Sequence, residues 1–168
     1  MSKQTDKLKE KTYLVSRMIL NIPEFLFSQL THMFWVNWYL LKFMIKLMYR
    51  GIKHDLSKFR PSEAIGFLKV IHNLKKSKFG DDLYKKSLLS IKTPLRNHYD
   101  FNSHHPQYYR KGIHQMSILD SIEMMADWRA SLRRHKTGSM FNSFKVNKER
   151  FKFDNIEEKI LKSIYNNM

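Results

Sequence analysis

The sequence predicts an all-α protein of six or seven helices in a single domain spanning residues 1–168, and three observations carry that prediction. Apolar residues recur at helical spacing, as in residues 6–21, where Leu8, Leu14, Val15, Met18 and Ile19 form a stripe. The four prolines and five glycines are few for 168 residues, and most sit where helices would begin or end. No run of alternating apolar and polar residues marks a strand, and no internal repeat is visible.

Taken in order, the first helix covers about 6–21, and Pro23 opens a long helix over 24–49, since proline suits a first helical turn. Gly51 ends it. A short segment, 52–59, carries His54 and Asp55, and Pro61 with Glu63 starts a helix running to about Leu74. "KKSKFGDD" is a loop before a helix around 82–91. Pro94 begins a turn or short helix bearing His98. "FNSHHPQYYRKG" is irregular, because Pro106 disfavours helix at His105. Helical spacing returns from Ile113 to about His135. Residues 136–154 read as a loop or extended arm and 155–166 as a closing helix, so the motif-bearing core covers about 24–135.

Twelve Phe, eight Tyr and three Trp exclude a disordered chain. The absence of cysteine excludes disulfides, thiolate metal sites and cysteine nucleophiles, and leaves imidazole and carboxylate as the metal ligands available. A net charge of +16 favours polyanionic partners: nucleic acid, nucleotides or an anionic membrane surface. The most apolar stretch, Phe25 to Tyr49, is interrupted by His32, Asn37, Lys42 and Lys46 and lacks the roughly 20 consecutive apolar residues of a membrane span. It reads as a buried central helix, with His32 sharing an inward stripe with Trp35, Tyr39 and Phe43. The polar N-terminus has no signal-peptide core, so the expected location is the cytoplasm, of a bacterium or of a virus-infected host cell.

Chemistry concentrates in "GIKHDLSKFRPSE", in "NHYDFNSHHP" and in one later helix. Asp120, Glu123 and Asp127 are spaced i, i+3, i+7 and so lie along one helical face, beside a core-facing stripe of Ile118, Ile122, Met125 and Ala126. Each element alone has a plain reading: a core histidine, a solvated acidic face, a polar loop. Together, segments bearing His32, His54, Asp55, His98, His104, His105 and Asp127 make a plausible cage of nitrogen and oxygen ligands. Such a cage suits one or two divalent ions, among manganese, iron, cobalt, magnesium and zinc. An ion held there lowers the pKa of its bound water, and an aspartate beside a ligating histidine can bridge a metal pair. Lys58, one turn after His54, would hold a phosphate oxygen as a point charge. Glu123 would orient a ligating histidine or act as a general base. Arg110, Lys111, Arg129 and Arg133 are the arginine and lysine candidates for substrate phosphate, with Arg110 favoured by its place just after the histidine loop. Trp128 reads as a packing residue; His72 and His135 look peripheral, and His114 is open.

The order His32, His54–Asp55, a histidine group, then Asp127 resembles the H…HD…D signature of the HD-domain metal-dependent phosphohydrolases. "HDLSK" is similar to the HD-x-G-K form of the cyclic-dinucleotide phosphodiesterase branch, with Ser57 in place of glycine. That branch adds histidines before the last aspartate, as His98, His104 and His105 would do here. Its "GYP" half is absent, and "HHP" stands where "HHE" would, which argues against cyclic-dinucleotide cleavage. More closely, "HDLSKFRPSE", "NSHHP" and "EMMADWRAS" resemble an uncharacterised family of small phage and bacterial proteins of unknown function, over roughly residues 30–135.

The resemblance implies an HD-like helical domain in which His32, His54, Asp55 and Asp127 form the basic metal site. His98 and one or both of His104 and His105 complete a second position. The expected function is a metal-dependent phosphohydrolase acting on a nucleotide or other small phosphoester. Lys58 and Glu123 would serve catalysis, and Lys58, Arg110 and Arg129 would hold phosphate. Two rivals remain: an HD-like di-iron oxygenase using the same ligands, and a basic helical nucleic-acid-binding protein without catalysis. Oligomeric state is not legible.

Overall fold

The computed structural model describes residues 2–78, 80–133 and 139–168, and every α-helix or 3-10 turn found there belongs to an all-α architecture without strands among the described residues. Seven α-helices follow one another: α1 (Ser2–Lys53), α2 (Pro61–Lys76), α3 (Asp82–Ser90), α4 (Lys92–Phe101), α5 (Ile118–Leu132), α6 (Met140–Phe151) and α7 (Asn155–Asn166). Short 3-10 turns occupy Leu56–Phe59, Pro106–Tyr108 and Gly112–Gln115. The chain divides into two compact units, Met1–Lys46 and Leu47–Met168.

The first unit is a stretch of α1 alone. The expected break at Pro23 does not occur: the helix runs through it and, further on, through Gly51 as far as Lys53. An internal proline removes one backbone hydrogen bond and a glycine costs about 1 kcal/mol, and neither ends a helix whose neighbouring turns are strong formers. Polar side chains in this unit turn back onto the helix, as where Asn37 Nδ2 donates to the Met33 carbonyl at 2.8 Å and Thr12 Oγ1 to Leu8 at 2.9 Å. The buried central helix expected over 24–49 is not found. Residues 6–46 are exposed, including His32, Tyr39 and Trp35, so the stripe meant to carry His32 inward faces solvent. A helix that is the only element of its unit has no second apolar face to bury against. As expected, no helix among the described residues is long and apolar enough to cross a membrane.

The second unit holds the packed core. α2 packs on α3 and α4, and α5 on α6 and α7. Ile113, Met124, Met125, Phe144, Phe153 and Leu161 form the buried apolar cluster, with Trp128 and Tyr165 packed against it. Trp128 meets the Phe144 ring edge-on, centroids 6.1 Å apart, which is the packing role its sequence context suggests. The stripe expected on α5 is rotated. Met124 and Met125 are its buried apolar residues, whereas Ile118 and Ala126 are exposed.

Three helix starts are fixed by side chains. Asp81 accepts from Tyr84 N at the start of α3, and capping boxes pair Ser117 with Asp120 on α5 and Asp154 with Glu157 on α7. The arm expected over 136–154 is instead α6 from Met140, closed by Lys152 in a left-handed conformation at φ 57°. Residues 134–138, and His135 with them, lie outside the described residues.

Gly66 of α2 stands directly against Pro94 of α4. A Cβ on Gly66 would stand 2.3 Å from Pro94 Cγ and 2.6 Å from its Cβ, and a proline ring has little freedom to yield. Gly66→Ala is therefore expected to lower stability by about 1–3 kcal/mol despite alanine's better helix propensity, read as a shifted urea midpoint with an unchanged slope.

Candidate metal centre

His54 and Asp55 sit where α1 ends. Asp55 adopts the left-handed backbone, φ 60° and ψ 13°, a conformation that aspartate tolerates better than most residues and that is common where a side chain must be aimed. The following 3-10 turn brings Ser57 inward and sets Lys58 back over Asp55, with which it forms an ion pair. α2 then contributes Glu63, 0% exposed, from its first turn. α4 contributes His98 near its C-terminus, and the irregular loop before Pro106 contributes His104 and His105. α5 supplies Asp120, Glu123 and Asp127 from the face whose spacing predicted it.

The imidazoles are oriented by carboxylates at their Nδ1 atoms. His54 Nδ1 and His104 Nδ1 each lie 3.0 Å from Glu123 Oε1, and His98 Nδ1 lies 2.9 Å from Glu63 Oε2. Since an ionised carboxylate only accepts, these three rings donate through Nδ1–H, which leaves Nε2 as the nitrogen turned toward the centre. The Nε2 atoms converge on Asp55. Its Oδ1 stands 3.3 Å from His98 Nε2 and 3.5 Å from His104 Nε2, and its Oδ2 stands 3.3 Å from His54 Nε2. His105 Nε2 is 2.9 Å from His98 Nε2, and Asp127 Oδ1 is 3.5 Å from His54 Nε2.

Two groups of donors result, Asp55–His98–His104–His105 and His54–His104–Asp127, in each of which one ligand atom per residue lies within 4.8 Å of the others. These clusters are able to hold a metal ion. The fit rests on buried atoms: Asp55 Oδ1 and His104 Nε2 have no hydrogen-bond partner, an arrangement that costs free energy unless something else binds them. A histidine whose far nitrogen is fixed by a carboxylate is the usual support for a metal ligand.

Electrostatics agree with that reading. Hydrogen bonds to Asp127, Asp55 and Glu123 push His54 up to about 11, so three carboxylates surround one imidazole and call for a cation. An ion coordinated at Nε2 would displace that proton. Burial works against ionising Asp55, yet the neighbouring His54 and His98 rings and the Lys58 charge hold its carboxyl far below the usual range. Asp127 is likewise held down by His54 against the effect of burial. Burial, then the neighbouring His104 and His98, lowers His105 to about 3.

A second layer of polar contacts was not foreseen from the sequence. Arg50 Nε donates to Glu123 Oε2 at 2.6 Å, and its Nη2 reaches Asp120 Oδ1 at 2.5 Å and Ser103 Oγ at 3.2 Å. Asp120 also accepts from Ser103, Tyr109 and Ser117. Ser57 donates to Glu63 and accepts from Asn102. Arg50 lies in the last turn of α1 and His54 just past its end, four residues on, so the near-helical spacing brings both toward Glu123. Glu63 carried only a helix-start signal, and its burial could not be read from the chain.

The remaining expectations divide. His32 lies in the other unit, exposed, and belongs to neither donor group. Glu123 is not free to act as a general base. Burial opposes its ionisation, but its bonds with His104 and His54 and the Arg50 charge press its carboxyl well below the ordinary range, and both oxygens are engaged. In this geometry it orients the His54 and His104 rings. Arg129 donates from Nη1 to the Tyr165 carbonyl at 3.1 Å and stacks over the Tyr165 ring, so it ties α5 to α7. Arg110 is exposed in the turn after the histidine loop, and His114 pairs with Glu157.

Asp120 allows a test of this outer layer by pH. Burial would raise its pKa, but bonds from Ser117, Ser103 and Tyr109 and the Arg50 charge leave it lowered. A depressed carboxyl contributes stability that is present above the unfolded value of about 3.9 and is lost as pH falls through the folded value. The acid limb of the Tm–pH curve is therefore expected to flatten in Asp120→Asn, with the largest difference from the parent above about pH 4.

An all-α protein carrying histidine–carboxylate clusters that could hold a metal ion is the class that fold and site define. A protein-family profile described as "Family of unknown function (DUF5662)" matches residues 22–167, and the chain belongs to that family. No curated protein and no solved structure matches it.

Proposed function

We propose that the protein is a metal-dependent phosphohydrolase acting on a nucleotide or other small phosphoester. The observation that carries the reading is the set of side chains from α1, α4, α5 and the histidine loop whose Nε2 and carboxylate oxygens face one another while Glu63 and Glu123 hold their far nitrogens. His54, Asp55, His98, His104, His105 and Asp127 would hold one or two divalent ions. An ion bound there supplies Lewis acidity and lowers the pKa of a water toward neutrality.

The chain's own residues do the rest. Glu123, held by Arg50, keeps the His54 and His104 rings in one tautomer and one orientation, and Glu63 does the same for His98. Burial of His98 and His104 keeps bulk water from these nitrogens. Lys58 is the residue that favours phosphate. Its ammonium is partly exposed at the rim, tethered to Asp55 and lying 5.5 Å from the centre of the Phe67 ring, where it can hold a phosphoryl oxygen. The net charge of +16 favours anionic substrates in the same sense.

The test begins with metal content. Protein purified without chelator should carry one or two ions per chain. Less than about a tenth of an ion per chain, unchanged in His54→Ala, would refute the reading, because four-donor sites of this kind retain their ions. A screen of nucleotides and small phosphoesters with manganese, cobalt or magnesium should then give turnover that Lys58→Ala weakens mainly through KM. Inactivity on every phosphoester, with oxygen uptake by iron-loaded protein, would replace hydrolysis by oxygenase chemistry.

A further inference from the structure

The first unit presents an apolar surface that the metal centre does not use. Along residues 25–46 of α1, at 100° per residue, apolar side chains occupy roughly 220° of arc, interrupted only by Gln29 and Asn37. Leu26, Leu30, Met33, Phe34, Leu41 and Met44 within that sector are all exposed. The opposite sector carries Ser28, Thr31, His32, Lys42 and Lys46, with Trp35 and Tyr39 among them. Lys42 Nζ lies 5.1 Å from the Trp38 ring centre. No acidic residue occurs between Phe25 and Lys46, and between Met18 and Leu41 the only charged side chain is Glu24. Lysines and an arginine flank this stretch on both sides, at Lys7, Lys9, Lys11 and Arg17 and at Lys42 and Lys46.

We propose that this part of α1 binds an anionic membrane surface, lying in the interface with its apolar sector toward the acyl chains and its cations toward lipid phosphates. A wide apolar sector of Phe, Leu and Trp opposite a polar face whose charges are basic is the pattern of helices that lie on a bilayer. Tryptophan and tyrosine prefer that boundary. The helix does not qualify as a span, which leaves the surface-lying mode. The chain's net charge of +16 supplies long-range attraction to anionic headgroups.

A second copy of the chain fits less well. A seam of Ile19, Leu26, Met33 and Leu40 with Val15, Ile22, Val36 and Phe43 has heptad spacing, but Gln29 interrupts it, and its flanking positions are mostly apolar, Phe25, Leu30, Tyr39 and Met44 beside His32 and Asn37. Two-stranded coils carry charges there. Pairing along that seam would leave Phe27, Phe34 and Leu41 in water, whereas a bilayer interface covers the whole sector. Two chains of the same high charge also repel.

Flotation of the full chain with vesicles tests the proposal. Binding is expected to phosphatidylcholine vesicles containing phosphatidylserine, to weaken as salt is raised, and to be far poorer with phosphatidylcholine alone. Lys42→Ala and Lys46→Ala should each reduce partitioning about fivefold and together about 25-fold. Phe34→Glu with Leu41→Glu should abolish it. These side chains are exposed, so helix content by circular dichroism and metal content of the other unit should stay at parental levels and exclude misfolding. Equal flotation with neutral and anionic vesicles would overturn the proposal, as would partitioning unchanged in the double lysine variant. Self-association abolished by the glutamate pair, without binding to either vesicle, would overturn it in favour of a second copy.

Discussion

On the proposed function, in which the centre holds one or two ions and cleaves a phosphoester, Asp55→Asn is expected to leave essentially no bound metal and no turnover. Asp55 is the one side chain whose two oxygens face both parts of the centre: Oδ1 toward His98 and His104, Oδ2 toward His54 and Lys58. An amide removes the negative charge and turns one lone-pair face into a hydrogen-bond donor. The loss in metal affinity should exceed the roughly 10–100-fold that attends removal of an orienting partner. Asparagine is the informative replacement because it shares aspartate's tolerance of the left-handed backbone, so φ 60° adds no new strain. Circular dichroism should remain near parental, whereas thermal unfolding should shift down as the Lys58 ion pair and the bound metal are lost. Titration calorimetry with manganese or zinc is the measurement, and a folded Asp55→Asn protein that keeps stoichiometric metal would end the metal-centre reading.

The second large effect is expected at Glu123. Its Oε1 accepts from two imidazoles at 3.0 Å and its Oε2 takes the Arg50 guanidinium at 2.6 Å. Glutamine offers one acceptor and one donor, so in either orientation its NH2 group faces donors: Arg50 in one, two imidazole N–H groups in the other. Metal affinity should fall about 10–100-fold, and a buried donor left without an acceptor should cost about 1–3 kcal/mol of stability. The pattern of loss separates positioning from general-base catalysis. A positioning residue lowers metal affinity, and activity recovers at high metal concentration. Were Glu123 the base, kcat would stay low with the centre fully loaded.

What the chain discloses about itself depends on how local the deciding physics is. The closing helix was legible over 155–166 because Asp154 and Glu157 mark its start within four residues, and α7 begins and ends there. Convergence of His54, Asp55, His98, His104, His105 and Asp127 was legible as chemistry, since few other arrangements explain so many ligand types near proline-bounded turns. The same logic failed for His32. Its inward stripe presumed a partner for α1, and whether a helix is covered is decided by other parts of the chain. Pro23 misled for a related reason: the residue that favours a helix start also survives inside a helix when the turns on each side are strong. α6 was missed because polar residues are interspersed among its apolar ones, and only Phe144 and Asn147 of its residues are buried. Glu63 and Arg50 show the limit most plainly. A charge reads as solvated until the fold reveals the opposite group buried against it.

His104 has a single lone pair to give. Its Nδ1–H is committed to Glu123, so although its Nε2 stands within both donor groups, it can ligate only one ion. Assigned to Asp55, His98 and His105, it completes four protein donors, the full valence of a tetrahedral ion. The other group is then left with His54 and Asp127, joined by the Asp55 Oδ2 that lies 3.3 Å from His54 Nε2. Four protein ligands make a closed position and three leave one open to water or substrate. On the proposed function with two ions, the two positions would therefore be unequal, one filled by protein donors and one with a place left for water or substrate. Stepwise chelation should strip the open position first, silencing turnover while about half the metal remains bound.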